Sequence, residues 1–323
     1  MVLVFHKLGD SVFTIPALRL LKQVYDKPIT ILCFEGTESI FQIGLQGYVI
    51  IPINKKYFIF WERFATTGVR RTLARLKPST IIDLTGVMTT ASLIFSSRAE
   101  YIYGFNRQHF KGIYDKFMEF ELDSHSMDIY LNTVKKIFNV DEGTGIRIFP
   151  YTRKSKIKVG IHPFAGWAAK EWNLYKFIEL SIYLRKEIEV EIIIHKENLL
   201  SKYEDVLSAN SIKIIYTPTT ESLINEIKSL SLLISNDTGP IQIASLLGVS
   251  TFSIYGPTNP TFHLPYGSNH YYVQHLIQCS PKKEERQCFT FGGRYGCPSF
   301  KCMDQLSAEK VFQKVNEVLK KIV

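Results

Sequence analysis

The chain has 323 residues, 46% of them hydrophobic, and 39 Lys and Arg against 30 Asp and Glu give a net charge of +9. That is more than one core of typical size, so two domains are expected. No apolar run reaches the ~20 residues of a membrane span, and the opening MVLVFHKLGD lacks the order of a secretory leader, so a cytoplasmic protein is expected. The basic balance favours acidic partners such as phosphates or anionic lipid. Nucleic acid has only that charge in its favour, because no aromatic–basic motif is present.

In chain order, VLVF reads as a strand and SVFTIPALRLLKQVY as a helix with apolar residues at helical spacing. ITILCF and YVIIPI follow as strands with a short helix between them, then FWERFATTGVRRTLARLK as a helix, TIIDL as a buried strand and HSMDIYLNTVKKIF as a helix. The βαβαβ order predicts an open parallel sheet with helices on both faces. Gly, Pro and charge in NVDEGTGIRIFPYTRKSK mark a domain boundary near residue 150.

The alternation then restarts with KVGIHP, NLYKFIELSIYLRK, VEIIIH, NLLSKYEDVL, IKIIY, TESLINEIKSL, SLLIS, GPIQIASLLG and TFSIY. Residues 257–306 lose this period and read as a long irregular stretch, which is more often functional than decorative. SAEKVFQKVNEVLKKIV closes the chain, with Ser307 as N-cap and Val311, Val315, Val318 and Ile322 on one helical face. The expected fold is α/β, with two Rossmann-like doubly wound parallel-sheet domains, 1–150 and 151–306, facing a cleft. Ligands in such folds sit at the carboxyl ends of the strands.

Cys33 stands alone in a strand and reads as packing. Cys279, Cys288, Cys297 and Cys302 crowd one late segment, separated by eight, eight and four residues, without the paired C-x2-C of common zinc sites. A metal site on these four stays open as an alternative, while reduced thiols in a compact loop are the expected state in a cytoplasmic protein.

Three post-strand segments carry chemistry. In HKLGDSVFTIPAL, Gly9 is expected to permit a tight turn, and Asp10 reads either as a helix N-cap or as a carboxylate able to take a proton. In HPFAGWAAKEWNLYKF, the Ala165 and Gly166 amides with Lys170 suit a phosphate, while Trp172 reads as core. In SNDTGPIQ, Thr238 reads as a cap and Pro240 as the first helical residue, leaving Asp237 for a ligand and the helix N-terminus for an anion.

LGDSVFTIPAL, HPFAGWAAKEW, ISNDTGPIQIASLLGVSTFSIYGPTNP and CMDQLSAEKVFQKVNEVL together resemble glycosyltransferase family 9, the bacterial heptosyltransferases, in the family's order and across nearly the whole chain. The resemblance implies the glycosyltransferase B fold, with the last helix (307–323) returning to the N-terminal domain. It implies inverting transfer of a sugar, best known as heptose from ADP-L-glycero-β-D-manno-heptose, to a lipopolysaccharide inner-core acceptor.

By resemblance, Asp10 matches the proposed base, Lys170 the lysine at the donor diphosphate, and Asp237 the aspartate near the donor sugar hydroxyls. Thr238 and Gly239 match the amides at the diphosphate. Glu197 matches a ribose-binding glutamate and His125 a recurrent histidine. Gln242 stands where the family usually has His; glutamine can donate a hydrogen bond but cannot become a cation.

Acceptor contacts are expected on the first domain, from Arg107, His109 and Lys111, and from Arg70, Arg71 and Arg75. These groups suit acidic sugars, lipid phosphates or an anionic membrane surface. With a lysine and a helix dipole at the leaving group, no divalent metal and no cofactor are expected for the chemistry. Rival readings are a nucleotide-sugar 2-epimerase, a transferase with another donor, and a binding protein that has lost catalysis. A nicotinamide dehydrogenase is disfavoured, since HKLGDSV follows the first strand where G-x-G-x-x-G would be needed.

Overall fold

The computed structural model describes residues 1–59, 64–95, 97–107, 110–141, 147–288, 297 and 299–322. Two compact units divide it, Met1–Arg147 and Ile148–Val323.

The first unit runs β1 (Val2–Val4), α1 (Leu8–Phe13), α2 (Ile15–Val24), β2 (Ile29–Phe34), α3 (Glu38–Gly44), β3 (Tyr48–Ile53), β4 (Phe58–Ile59), β5 (Phe64–Ala65), α4 (Thr67–Leu76), β6 (Thr80–Asp83), α5 (Met88–Ile94), β7 (Tyr101–Phe105), β8 (Lys116–Met118) and α6 (Ser126–Phe138). Among the described residues six strands form one sheet in the order β3-β2-β1-β6-β7-β8, while β4 and β5 make a separate antiparallel pair. Every pairing in the large sheet is parallel, so both faces need covering. This explains why β1 and β2 are almost wholly apolar and buried.

The single helix expected over SVFTIPALRLLKQVY is two. Thr14 breaks it, its hydroxyl donating to the Ser11 carbonyl at 2.8 Å, and Pro16 near the start of α2 has no N–H to continue the ladder. Gly9 is a helical residue inside α1 rather than a turn glycine, and Lys7, not Asp10, is the N-cap. Part of the helix expected over FWERFATTGVRRTLARLK is strand β5, with α4 starting at Thr67.

The second unit runs β9 (Lys158–His162), α7 (Leu174–Arg185), β10 (Glu189–Ile194), α8 (Glu204–Ala209), β11 (Lys213–Tyr216), α9 (Thr220–Ser229), β12 (Leu232–Asn236), α10 (Gly239–Leu246), β13 (Ser250–Tyr255), α11 (Pro260–His263), β14 (His270–Gln274), α12 (Lys301–Asp304) and α13 (Ala308–Ile322). Its sheet repeats the first, in the order β11-β10-β9-β12-β13-β14, again all parallel. The stretch 257–306 is less irregular than its composition implies, because β14 pairs with β13 from Thr251–His270 to Tyr255–Gln274.

Ser307 accepts from the Lys310 amide at 3.2 Å and caps α13. Val311, Val315, Val318 and Ile322 are buried in the second unit's own core, where α13 packs on α7 and β14.

Candidate active site

Both units gather polar side chains at the carboxyl ends of their central strands. In the second unit β9 and β12 are neighbours, so the loops after them start side by side. Ser235 donates to the His162 carbonyl at 2.6 Å, and Asn236 donates to the Pro163 carbonyl at 2.8 Å while accepting from the Trp172 amide at 3.0 Å. Two side chains at the end of β12 therefore pin both ends of the loop that carries Lys170. Trp172 is buried as expected and donates its indole N–H to the Leu306 carbonyl at 2.9 Å.

The pinned loop delivers Lys170 to Asp237. Its Nζ lies 2.5 Å from Asp237 Oδ2, and the Thr258 hydroxyl donates to the same oxygen at 2.7 Å. Asp237 Oδ1 carries no hydrogen bond to the described residues. Burial pushes the Asp237 pKa up, but Lys170, His263 and the hydrogen bonds from Lys170 and Thr258 outweigh it, and the carboxyl is held below its ordinary value. Lys170 Nζ also sits 4.8 Å from the centre of the Trp167 ring.

Asp237 leads directly into α10. Thr238 is the N-cap residue by position, but its side chain makes no cap bond; its hydroxyl lies 3.3 Å from that of Ser235. This corrects the cap role expected of Thr238 and leaves the first turn, Gly239 onward, without a side-chain acceptor. A lysine beside an uncapped helix start is a place for a diphosphate.

Other expected donor residues fare differently. The Ala165 amide donates to Glu171 Oε1 at 2.9 Å, so it is already engaged. Gly166 is exposed, with open space where a side chain would stand. Glu197 is exposed on the loop after β10, and no hydrogen bond or ion pair links it to the Lys170–Asp237 pair. Gln242 is buried on α10 and donates to the His263 carbonyl at 2.7 Å, while its Oε1 has no partner among the described residues.

In the first unit Asp10 is exposed in the opening turn of α1, where the helix dipole favours a carboxylate. Burial pushes the neighbouring His6 down to about 4; the Asp10 charge opposes this shift and the Arg107 guanidinium reinforces it. His6 is therefore neutral, and its ring bonds the Leu84 carbonyl at 2.8 Å. Arg107 donates to the Tyr130 hydroxyl at 2.9 Å and lies 4.5 Å from the Phe120 ring centre. Lys111 pairs on the surface with Glu119 at 2.8 Å. His125 is buried as the N-cap of α6, accepting from the Met127 amide at 3.2 Å. His109 lies outside the described residues.

Sequence reasoning missed Asp83. It is fully buried and accepts from the Thr85 and Gly86 amides at 2.9 and 3.0 Å, from Thr90 at 2.8 Å and from Tyr114 at 2.7 Å. Burial raises its pKa against the pull of those four donors. Thr85 in turn accepts from the Phe5 amide at 2.8 Å, so Asp83 helps fix the loop that carries His6 and leads into α1. Asp in TIIDL at a strand end was the available signal. Thr258 was also missed, although it lies inside the YGPTNP motif.

The model of glycosyltransferase family 9 (heptosyltransferase) matches residues 116–290. The chain belongs to glycosyltransferase family 9. It is 24% identical to lipooligosaccharide heptosyltransferase 2 of Campylobacter jejuni, over 97% of this chain and 96% of that protein. A family 9 glycosyltransferase structure from Veillonella parvula superposes with a TM-score of 0.80 at 19% identity, covering 99% of this chain and 96% of the other. The E. coli heptosyltransferase WaaC, solved with ADP-2-deoxy-2-fluoro heptose, gives 0.72 at 16% identity and covers 98% of both chains. The fold is the glycosyltransferase B fold, as the resemblance implied, and the protein is a glycosyltransferase. Family 9 membership sets the epimerase and dehydrogenase readings aside.

Proposed function

We propose that this family 9 enzyme moves heptose, with inversion, from ADP-heptose to the inner core of a lipopolysaccharide or lipooligosaccharide. The observation that carries the reading is the Lys170–Asp237 pair at the uncapped start of α10. It offers one cation and a helix N-terminus where a nucleoside diphosphate leaves. The name of the Campylobacter relative and the ligand of the WaaC structure support the sugar and the base.

Inverting transfer is a single displacement at the anomeric carbon. Asp10 takes the proton of the acceptor hydroxyl, a contribution of about 10²–10⁴-fold for such a base. Lys170 and the amides at Thr238 and Gly239 stabilise the charge growing on the leaving phosphate, at roughly 3 kcal/mol for one well-placed donor. Asp237 Oδ1 is left to accept from a donor sugar hydroxyl. Lys170 and the helix dipole replace a divalent metal in the chemical step, so added Mg2+ or Mn2+ leaves turnover unchanged.

Calorimetric titration with ADP, UDP and GDP, repeated on Lys170→Ala, tests the reading. Selective ADP binding that Lys170→Ala weakens supports it, whereas preference for UDP or GDP moves the donor. A second reading, a sugar-nucleotide or glycolipid binder without turnover, is favoured by Gln242 at the position where the family usually has His. Donor consumption with an inner-core acceptor separates the two.

We place the enzyme in the cytoplasm, in reversible contact with an anionic membrane. Exposed Arg71 and Arg75 on α4, with Tyr57, Ile59 and Phe64 exposed close by in sequence, support that contact. Among the described residues no helix is long and apolar enough to cross a membrane. Sedimentation with anionic but not neutral vesicles is the expected result.

A further inference from the structure

The segment after β13 brings a second residue to Asp237 besides Thr258. Thr258 donates its hydroxyl to Asp237 Oδ2 at 2.7 Å. His263 closes α11 a few residues later and is half-buried there. Burial pushes the Asp237 carboxyl up; Lys170 pulls it down most and His263 next, ahead of either hydrogen bond. A Coulombic pull fades with distance, so one of that rank places the His263 side chain close to the carboxylate.

The short helix that carries His263 is held on every flank. Asn259 caps it, accepting from the Thr261 amide at 3.0 Å, and donates to the Lys282 and Glu285 carbonyls at 3.0 Å each. Phe262 is buried, with the Arg286 guanidinium 4.8 Å from its ring centre. At the far end Gln242 of α10, only 3% exposed, donates to the His263 carbonyl at 2.7 Å. α10 begins at Gly239, so this bond fixes the His263 backbone within about one turn of the uncapped helix start.

That helix start is short of positive charge. Lys170 and Asp237, 2.5 Å apart, cancel one another. The N-terminus of α10 is worth about half an elementary charge and must face a diphosphate. Gln242 cannot make up the difference, because an amide stays neutral. An imidazole can: it donates an N–H when neutral and adds a charge when protonated.

We propose that His263 is a donor-binding residue whose imidazole N–H contacts the donor diphosphate, and that Gln242 is the residue that positions it. The contact presupposes a nucleoside diphosphate at the start of α10. Thr258 and His263 then make the segment after β13 a second arm of the donor site, opposite the loop that carries Lys170.

The test is calorimetric titration of the full chain, His263→Ala and His263→Phe with ADP, inorganic pyrophosphate and adenosine. ADP and pyrophosphate should bind both variants roughly 10–100-fold more weakly, the worth of a hydrogen bond to a charged group. Adenosine should bind all three chains alike. Gln242→Leu should bring a loss of the same kind. Added to His263→Ala it should cost little more, because both substitutions act through one contact, whereas a merely structural glutamine would add its loss in full.

His263 ends a one-turn helix and is half-buried, so its variants are mild for the fold, and melting near the native temperature confirms it. Should Gln242→Leu fail to fold, the two His263 variants decide alone. Native ADP affinity in both of them overturns the proposal, and so does a loss for adenosine as large as that for ADP. A native chain that prefers UDP or GDP, with the same loss in the His263 variants, changes the donor base and keeps His263. A native chain that binds none of the three nucleotides and no pyrophosphate overturns the diphosphate reading, and His263 with it.

Discussion

Lys170 and Thr258 end on the same oxygen of Asp237, at 2.5 and 2.7 Å, although one follows β9 and the other β13. The Asp237 side chain is only 8% exposed and that of Lys170 17%. Lys170→Ala leaves a buried carboxylate without its cation, which costs roughly 3 kcal/mol. Asp237→Asn costs less, because the lysine can turn toward solvent. Urea unfolding of the two variants checks the order; an equal loss in both would mean the pair is not effectively buried.

Thr258→Val keeps the shape of the side chain and removes its hydroxyl. A hydrogen bond to a charged group is worth about 1.5–3 kcal/mol, and Thr258→Ser should recover most of it. ADP affinity measured alongside stability shows whether Thr258 serves the donor site or only the fold.

The amino ends of β9 and β10 hold Lys158 between Glu191, at 2.7 Å, and Glu226, at 2.8 Å. Burial first, then Glu226 beside it, pushes the Glu191 carboxyl up to about 7 against the pull of Lys158. Glu226 beside it shifts the other way: burial raises it, but Glu191, Lys158 and Ser229 hold it below its ordinary value. The folded value of Glu191 lies above the ordinary 4.5, so this contribution to stability is whole below about 4.5 and is lost as pH rises through about 7. Glu191→Gln should flatten the melting-temperature profile across that window and melt above wild type at pH 8. A profile unchanged by the substitution would remove Glu191 from the account.

Gly166 and Gly248 separate ligand approach from backbone strain. A Cβ at Gly166 meets nothing within 4 Å, whereas at Gly248, with φ +71°, it would lie 2.2 Å from the Pro150 carbonyl oxygen. Gly166→Ala should melt like wild type and lose ADP affinity only if a phosphate comes up against that backbone. Gly248→Ala should lose at least roughly 1–2 kcal/mol, from the left-handed conformation alone.

Asp10→Asn should lower turnover by about 10²–10⁴-fold while leaving ADP binding as it is. The exposed position of Asp10 makes the substitution mild for the fold. A change in ADP affinity of similar size would reassign Asp10 from proton transfer to donor binding.

The parallel architecture was legible because ITILCF, TIIDL and VEIIIH are short, β-branched and separated by helix-period segments. β7, β8 and β14 were not read as strands, since YIYGF, KFM and HYYVQ mix polar and aromatic residues at or near a sheet edge, where one flank is open. Lys170 and Asp237, which the structure pairs, were singled out because each lies just after a strand in its own short segment. Thr258 and Asp83 escaped because their partners come from distant segments, and a threonine or an aspartate at a strand end carries no mark of its contacts. The cap expected at Thr238 failed for a similar reason: its hydroxyl is turned to Ser235.

The earliest strand of each unit lies in the middle of its sheet. β1 is sealed on one side by β2 but on the other only by β6: the Ile82 amide donates to the Met1 carbonyl at 2.8 Å, and Phe5 reaches Thr85 across 80 positions. In the second unit Ser235 closes onto His162 across 73. A ribosome must therefore deliver about half of each unit before its first strand has both neighbours. The Val-Leu-Val edge of the nascent chain stays open for that interval. Such long-range closure places refolding toward the slow, millisecond-to-second end of single-domain rates, and makes the half-made chain the form most in need of a chaperone.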